Sequence, residues 1–210
     1  MLKLLMNKYK FGIICAMHEE AEKIISEFSL REVNSFPFEE FENDTMILIK
    51  SSIGKIASSA ATTRIIEKYN PTYIVNIGLA GAINKNLKVP DAFLVGSIFQ
   101  HDVMIDIEPY KTDLYMNLNC RKINFYNGDY LTLATGDQFI EDGAQIKADI
   151  VDMEGFSVAY ICHKYNLEPP ILIKGISDYT DNDSSEDIFI NLEKAMNRSI
   201  QLLKSIIKNI

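Results

Sequence analysis

Apolar runs of strand length alternate with segments of helical periodicity along the chain. The runs lie at residues 11–17, 46–50, 73–77, 92–98, 130–135, 150–153 and 171–176. The helical segments lie at residues 19–28, 55–69, 155–165 and 187–207, and the last of these carries one apolar stripe. Several runs are apolar throughout, which is typical of strands that are covered on both faces. The alternation therefore predicts an α/β fold with helices on both sides of a mostly parallel sheet.

The length of the chain and its uniform composition predict one domain. The chain has 210 residues, and domains grow to about 250 residues before their cores split. It contains no repeat, no low-complexity tract and no linker rich in proline, glycine or serine. We therefore expect one domain over residues 1–210, with 1–10 as an N-terminal extension.

The charge balance argues against two classes of partner. The chain has 21 basic and 29 acidic residues, a net charge of −8, and only four of the basic residues are arginines. Surfaces that bind nucleic acid or anionic membranes are usually built from clustered lysine and arginine. The composition therefore predicts neither a nucleic-acid partner nor a membrane partner.

The cysteines and the N-terminal residues favour a cytoplasmic protein. Cys15, Cys120 and Cys162 are odd in number and show neither CxxC nor Cys/His spacing, so they predict neither a disulfide framework nor a metal site. Lys8 and Lys10 interrupt the apolar residues near the N-terminus. We therefore expect neither a signal peptide nor a membrane span there.

Carboxylates follow three of the apolar runs. In open α/β sheets ligands bind at the carboxyl ends of strands, so these acidic residues are candidate site residues. Glu20 follows the first run and Glu154 the sixth, and for both a helix N-terminus would explain an acidic residue equally well. Asp178 follows the last run and has no such structural role, because Ser184 or Ser185 is better placed to cap the next helix.

These three carboxylates predict a class of reaction. The histidines, His18, His101 and His163, form no metal-binding or nucleophilic arrangement with them in the sequence. Carboxylates alone suit general acid/base hydrolysis of an acetal-like bond, which needs an acid for the leaving group and a base for water. A glycosidic or N-glycosidic bond is the substrate that this chemistry favours.

Small residues follow the third run, at 78–82 (GLAGA). We expect a turn from strand to loop there. Such a turn lets backbone N–H groups approach a ligand, although a tight turn without a ligand has the same composition. The segment lacks the GxGxxG pattern of dinucleotide-binding proteins.

Six segments, taken in order, resemble one known family. They are FGIICAMHEEAEKI, SSIGKIASSAATTRIIEKYNPTYIVNIGLAGA, LKVPDAFLVGSIFQHDVMID, TGDQFI, VDMEGFSVAYICHKYN and KGISD. Together they are similar to the motifs of the 5′-methylthioadenosine/S-adenosylhomocysteine nucleosidases, within the nucleoside phosphorylase superfamily. The resemblance implies a single three-layer α/β/α domain with a central mixed, mostly parallel sheet. It also implies a cofactor-free, metal-free enzyme that hydrolyses a small-molecule nucleoside and forms a homodimer, in which residues 103–107 close the partner's pocket.

The resemblance implies a role for each carboxylate. Asp178 matches the aspartate that donates a proton to adenine N7, which requires a raised pKa. Glu20 matches the glutamate that positions and deprotonates the attacking water. Glu154 matches the carboxylate that holds the ribose hydroxyls and offsets positive charge on the sugar.

The resemblance also implies a set of substrate-binding residues. Phe139 would stack on adenine beside the backbone of Ile140, and Met153 would lie against the ribose. The 5′-alkylthio pocket would include Met17, Ile53 and Ile188. The full set of implied binding residues is Met17, Ile53, Leu79, Ala80, Gly81, Phe139, Ile140, Asp152, Met153, Lys174, Ser177 and Ile188.

Two residues depart from the family pattern and leave alternatives open. Leu79 stands where the family usually has serine, and Lys174 where it usually has arginine. The scarcity of arginine favours water over phosphate as the nucleophile, since a phosphorolytic enzyme needs cations around its anion. Futalosine hydrolase remains an alternative, because the GLAGA segment is similar to that relative's, although its base is hypoxanthine and Asp178 favours adenine. A nucleoside-binding module with little activity is the second alternative.

Overall fold

The computed structural model describes residues 8–104, 107–108, 116–180 and 184–210, and of 184–189 the backbone alone. Within these residues the strands are β1 (Phe11–Cys15), β2 (Arg31–Asn34), β3 (Glu39–Glu42), β4 (Met46–Lys50), β5 (Tyr73–Ala82), β6 (Ala92–Gln100), β7 (Leu118–Asn119), β8 (Tyr130–Thr135), β9 (Ile150–Asp152) and β10 (Ile171–Tyr179). The helices are α1 (His18–Phe28), α2 (Lys55–Tyr69), α3 (Gly155–Lys164) and α4 (Ser184–Asn209). None of the described helices has the length and apolar character needed to cross a membrane.

The sheet brings the ends of three long strands to one edge. β1 lies between β4 and β5 and is parallel to both, and β5 is also parallel to β10. β6 and β8 run parallel, whereas β6 is antiparallel to β10 and β9 is antiparallel to β5. The sheet is therefore mixed and mostly parallel, as predicted. Because β1, β5 and β10 run in the same direction, the residues that follow or end them meet at one place.

Helices cover both faces of the sheet. On one face Ile24 of α1 and Met196 of α4 join a buried cluster with Ile13 and Val75 of the sheet. On the other face Ile65 of α2 and Val158 of α3 join a second cluster. The predicted stripe of α4 is confirmed at positions that are buried, namely Leu192, Ala195, Met196, Ile200 and Leu203. Each of the leucine, isoleucine and methionine side chains stabilises the fold by roughly 1.5–3 kcal/mol on burial. The predicted three-layer arrangement is confirmed.

The hairpin formed by β2 and β3 was not predicted from the apolar runs. β3 (EEFE) is antiparallel to both β2 and β4 and extends the sheet at its edge. Its Glu40 is fully buried and accepts hydrogen bonds from Arg64 Nε (2.8 Å) and Lys68 Nζ (2.8 Å) of α2. A buried carboxylate needs such partners to offset its loss of hydration. The hairpin is missed because its inward positions carry charged residues in place of apolar ones.

Two strands continue further than the apolar runs indicate. β5 extends through the GLAGA segment to Ala82, so the predicted turn at 78–82 is wrong. The pairing of Gly81 and Ala82 with β9 and β10 keeps this segment in the sheet. β10 extends to Tyr179 and carries Ser177 and Asp178 as strand residues. The small residues at 78–82 therefore allow neighbouring strands to pack closely within the sheet.

The cysteines are buried and separate. Cys15, Cys120 and Cys162 form no disulfide with one another. Burial raises the pKa of the Cys120 and Cys162 thiols to about 12, so both stay protonated near neutral pH. They pack as small apolar side chains.

Candidate active site

A cleft opens beyond the ends of β1 and β10 and beside the last residues of β5. It encloses about 670 Å³ of space between atoms, including the open solvent at its mouth. Its lining residues are Ala16, Met17, Glu20, Ile53, Leu79, Ala80, Gly81, Gln138, Phe139, Ile140, Val151, Asp152, Met153, Glu154, Ser177 and Asp178.

Most residues named from the sequence lie in this lining. All three carboxylates, Glu20, Glu154 and Asp178, are there, and Lys174 is not. Ile188 belongs to α4, but its side chain lies outside the described residues. The binding residues found in the lining are Met17, Ile53, Leu79, Ala80, Gly81, Phe139, Ile140, Asp152, Met153 and Ser177. Sequence reasoning missed Ala16, Gln138 and Val151, which adjoin named positions and could have been found only as their neighbours.

Glu20 is held by backbone donors from two elements. It lies in the first turn of α1, and its Oε2 accepts the N–H groups of Ala16 (3.1 Å) and Met17 (3.0 Å). Its Oε1 accepts the N–H of Leu79 in β5 (2.9 Å). Burial raises the pKa of Glu20 above its usual range, and these hydrogen bonds, together with the charge of Lys174, offset only part of that effect. A carboxyl with a raised pKa is a stronger base than an ordinary glutamate.

Gly78 makes room for Glu20. A Cβ at this position would lie 2.8 Å from Oε1 of Glu20, closer than real Cβ contacts come. The next residue, Leu79, meets Glu20 through its backbone N–H alone. The leucine that departs from the family's serine therefore preserves the backbone contact.

A bulge in β10 sets the direction of the Asp178 side chain. The pairing of β10 with β5 shifts register between Ile176 and Asp178, so that Ser177 is the extra residue. Such bulges re-aim side chains. The Ser177 hydroxyl donates to Oδ1 of Asp178 (2.6 Å), and Asn191 of α4 donates from Nδ2 to the Ser177 carbonyl (3.0 Å). Asp178 is buried and held from its own strand and from a helix.

Glu154 lies at the start of α3 and faces the start of α2. Its Oε1 accepts the N–H of Gly54 (3.0 Å), whose φ of 102° lies in the region that favours glycine. Burial, and then the neighbouring charge of Asp152, raise the pKa of Glu154 to about 7, against the lowering effect of Lys174 and Gly54. Glu154 therefore titrates near neutral pH.

Asp152, which lines the cleft, forms a buried ion pair with Lys174, which lies behind the lining. Lys174 Nζ lies 2.7 Å from Oδ2 of Asp152, and that oxygen also accepts the N–H of Gly155 (2.8 Å). The Thr135 hydroxyl donates to Oδ1 (2.5 Å). Burial lowers the pKa of Lys174, but the charges of Asp152 and Glu154 outweigh it and the net pKa is raised. Lys174 stays a cation and is directed at Asp152, not into the cleft.

The cleft is acidic at its base and apolar at its mouth. Its described lining includes four carboxylates and no lysine, arginine or histidine. Phe139 and Ile53 remain 47% and 54% exposed and present apolar surface beside those acids. Among the described residues no group of three or more histidine, cysteine or acidic side chains is placed to hold a metal ion. The arrangement suits acid/base chemistry on a ligand with an aromatic or alkyl part.

Comparisons with known proteins identify the family of this chain. The model of the phosphorylase superfamily matches residues 10–208. A 5′-methylthioadenosine/S-adenosylhomocysteine nucleosidase of Buchnera aphidicola subsp. Acyrthosiphon pisum (strain APS) is 31% identical over 96% of this chain and 98% of its own. The corresponding protein of Shewanella loihica is 29% identical over 96% of this chain and 100% of its own.

Solved structures agree as well. A mutant of the Helicobacter pylori 5′-methylthioadenosine nucleosidase, with 5′-methylthioadenosine in its active site, has a TM-score of 0.84 and 25% identity over 96% of this chain and 99% of that one. A futalosine hydrolase of Helicobacter pylori also has a TM-score of 0.84, with 26% identity over 97% of this chain and 99% of that one. The chain belongs to the phosphorylase superfamily and, within it, to the family of the 5′-methylthioadenosine/S-adenosylhomocysteine nucleosidases.

Proposed function

We propose that this protein is an N-ribosyl hydrolase that cleaves the adenine–ribose bond of 5′-methylthioadenosine, S-adenosylhomocysteine or both. The observation that carries the proposal is the convergence of Glu20, Glu154 and Asp178 on one cleft. Each is buried and each accepts a hydrogen bond that fixes its carboxyl group. Hydrolysis of an N-glycosidic bond needs an acid, a base and a carboxylate near the sugar, and the cleft supplies all three.

Asp178 is the general acid of this mechanism. Its protonated carboxyl donates to adenine N7, the C1′–N9 bond breaks, and the electron pair of that bond leaves with adenine. The hydrogen bond from Ser177 and the bulge in β10 hold the acid in one orientation. A proton donor fixed in position avoids the cost of orienting it during the reaction.

Glu20 is the general base. Water attacks C1′ of the positively charged sugar and gives a proton to Glu20, so one water is consumed and the products are adenine and the 5-alkylthioribose. Its two oxygens already accept three backbone N–H groups, which fixes the carboxylate towards the cleft. Glu154 holds the ribose hydroxyls and offsets charge on the sugar, with Met153 against the ribose face.

The charge of the cleft favours water over phosphate. Phosphate needs cations or clustered N–H donors, and the described lining contains no basic side chain. Lys174, the cation behind the lining, is bonded to Asp152.

The substrate is bound by the apolar part of the lining in this proposal. The adenine ring packs against Phe139 beside the backbone of Ile140, and the 5′-alkylthio group packs against Met17 and Ile53.

Hydrolysis of futalosine is a second candidate. The observation that favours it is the solved futalosine hydrolase, whose TM-score equals that of the nucleosidase. The two candidates share the bond that is cleaved and differ in the base and in the 5′-substituent.

The proposal includes a homodimer in the cytoplasm. Ile56, Met104 and Ile107 are exposed apolar residues, and Ile53 and Phe139 at the cleft mouth are exposed as well. A dimer interface that covered these side chains would remove their apolar surface from water. Residues 105–106 of the loop at 103–107 lie outside the described residues. Sedimentation of the wild type and of Ile56→Glu tests the dimer, which the variant is expected to weaken.

The cytoplasmic location rests on the cysteines. The three unpaired cysteines support a reducing compartment.

Release of the free base from a panel of nucleosides tests the proposal. The panel is 5′-methylthioadenosine, S-adenosylhomocysteine, futalosine and adenosine, each with wild type and with Asp178→Asn. Adenine from the two thioethers, lost in the folded Asp178→Asn variant, supports the proposal. Preferential release of hypoxanthine from futalosine supports the second candidate, and no release from any member overturns both.

A further inference from the structure

The N-terminus of α2 connects three segments of the cleft wall. The N–H of Gly54 donates to Oε1 of Glu154 (3.0 Å), and the next N–H, of Lys55, donates to Oδ1 of Asp137 (2.8 Å). Ile53, which lines the cleft, directly precedes Gly54. Two consecutive donors at the start of one helix therefore bind carboxylates from two distant parts of the chain, as the helix dipole favours.

The side chain of Lys55 adds an ion pair to this junction. Its Nζ lies 2.7 Å from Oδ1 and 2.8 Å from Oδ2 of Asp102, and 3.0 Å from Oε1 of Gln100. Oδ2 of Asp102 also accepts the backbone N–H of Asp137 (2.8 Å). The Lys55 and Asp102 side chains are only 19% and 14% exposed, so water and salt screen their attraction less than at an open surface.

Asp102 stays ionised in this setting. Burial by itself would raise the pKa of its carboxyl. The hydrogen bonds from Lys55 and from the N–H of Asp137, together with the charge of Lys55, outweigh burial, and the pKa of Asp102 is lowered. The Asp102 carboxylate is therefore charged across the neutral range.

The segment after Asp137 depends on these bonds for its position. Residues 137–140 belong to no helix or strand, so no ladder of backbone hydrogen bonds from the sheet holds them. Gln138, Phe139 and Ile140 nonetheless line the cleft, and Phe139 is nearly half exposed. Asp137 is thus an anchor at the start of this wall, tied to Lys55 through its side chain and to Asp102 through its backbone.

We propose that the Lys55–Asp102 ion pair is a positioning element for substrate binding, which fixes Asp137 and through it the wall formed by Gln138, Phe139 and Ile140. Neither Lys55 nor Asp102 lines the cleft among the described residues. The inference rests on the proposed function for the identity of the ligand, a nucleoside whose base packs on Phe139. A wall that binds ground state and transition state alike governs KM more than kcat.

Steady-state kinetics with 5′-methylthioadenosine test the role. Lys55→Met and Asp102→Ala are each expected to raise KM about tenfold and to leave kcat within about threefold. The double variant is expected to match Asp102→Ala, because the ion pair is already absent once Asp102 is removed. Lys55→Arg keeps the charge. Its increase in log KM over the wild type is expected to be at most half of the increase in Lys55→Met. Lys204→Met removes an ion pair with Glu27 outside the cleft lining and serves as the matched control, with KM unchanged.

Three kinetic outcomes would contradict the positioning role of the ion pair. An unchanged KM in both single variants, or additive effects in the double variant, would overturn the proposal. So would a fall in kcat of a hundredfold at unchanged KM, since that would place the pair in the chemical step.

Hydrogen exchange separates this inference from the proposed function. In Asp102→Ala the Asp137 N–H loses its acceptor, and exchange at 137–140 is expected to become at least about tenfold faster than in wild type. Exchange at wild-type rates would refute the positioning role. A wild type that releases no base from any nucleoside refutes the proposed function, whereas the exchange measurement still tests the ion pair.

Discussion

The ammonium group of Lys174 lies 2.7 Å from Oδ2 of Asp152, and both side chains are 1% exposed. Lys174 is a basic group bonded directly to the acidic base of the cleft. It neutralises Asp152, which together with Glu154 and Glu20 raises the pKa of the lysine against the effect of burial. The pair explains how acidic residues can gather in a buried site without forcing each other apart.

Removing the cation is expected to destabilise the fold. In Lys174→Met the Asp152 carboxylate stays buried without its cation, and the free energy of unfolding should fall by about 3–5 kcal/mol at pH 7. Urea unfolding measures this loss. Adding Asp152→Asn to the same chain removes the uncompensated charge and should restore more than half of it. A loss below about 1 kcal/mol in the single variant would contradict a buried, charged pair.

The buried Glu154 predicts a pH dependence of stability. Its pKa of about 7 lies above the ordinary value of 4.5, so the native state binds more protons than the unfolded state between these values. The stability that Glu154 contributes is therefore fully present below about pH 4.5 and is lost as the pH rises through 7. Relative to Glu154→Gln, the unfolding free energy of the wild type should fall by about 2 kcal/mol as the pH rises from 5 to 8. Urea unfolding at both pH values measures it, and a difference that does not change with pH would disprove a raised pKa.

The hydroxyl of Ser177 is expected to matter through Asp178. Ser177→Ala removes the 2.6 Å hydrogen bond that orients the acid, so kcat for adenine release should fall about tenfold while the fold persists. Ser199→Ala is the matched control, because this buried serine donates to the Ala195 carbonyl within α4 and is not part of the described lining. Equal rates for the two variants would remove Ser177 from the account.

The backbone beside Glu20 predicts opposite results for two neighbouring residues. Gly78→Ala places a Cβ 2.8 Å from Oε1 of Glu20, so the base must move and kcat should fall about a hundredfold. Leu79→Ser keeps the N–H that Glu20 accepts and should change kcat by less than about threefold. Kinetics on both variants measure this contrast. An unchanged kcat in Gly78→Ala would show that Glu20 does not need the space at Gly78, and a large loss in Leu79→Ser would show that the side chain at 79 serves Glu20.

The carboxylates and the layers were predictable because they depend on local patterns. Apolar runs mark strands, and the acids that follow them mark the ligand-binding edge of a parallel sheet. The hairpin of β2 and β3 was not predictable, since Glu40 owes its burial to Arg64 and Lys68 of another element. The same holds for the pairing of Lys174 with Asp152, which tertiary contact alone decides. Sequence reasoning therefore named the acids, and it named Lys174 as a binding residue, but it missed the pairing of Lys174 with Asp152.

The sugar product formed from 5′-methylthioadenosine in the presence of phosphate tests the central claim most directly. The acidic cleft, with Glu20 as the base, predicts free 5-methylthioribose and a rate of adenine release that does not change as phosphate is added. Mass spectrometry of the quenched reaction identifies the sugar, and Asp178→Asn supplies the inactive control. Detection of 5-methylthioribose 1-phosphate, with a rate that rises with phosphate, would contradict water as the nucleophile.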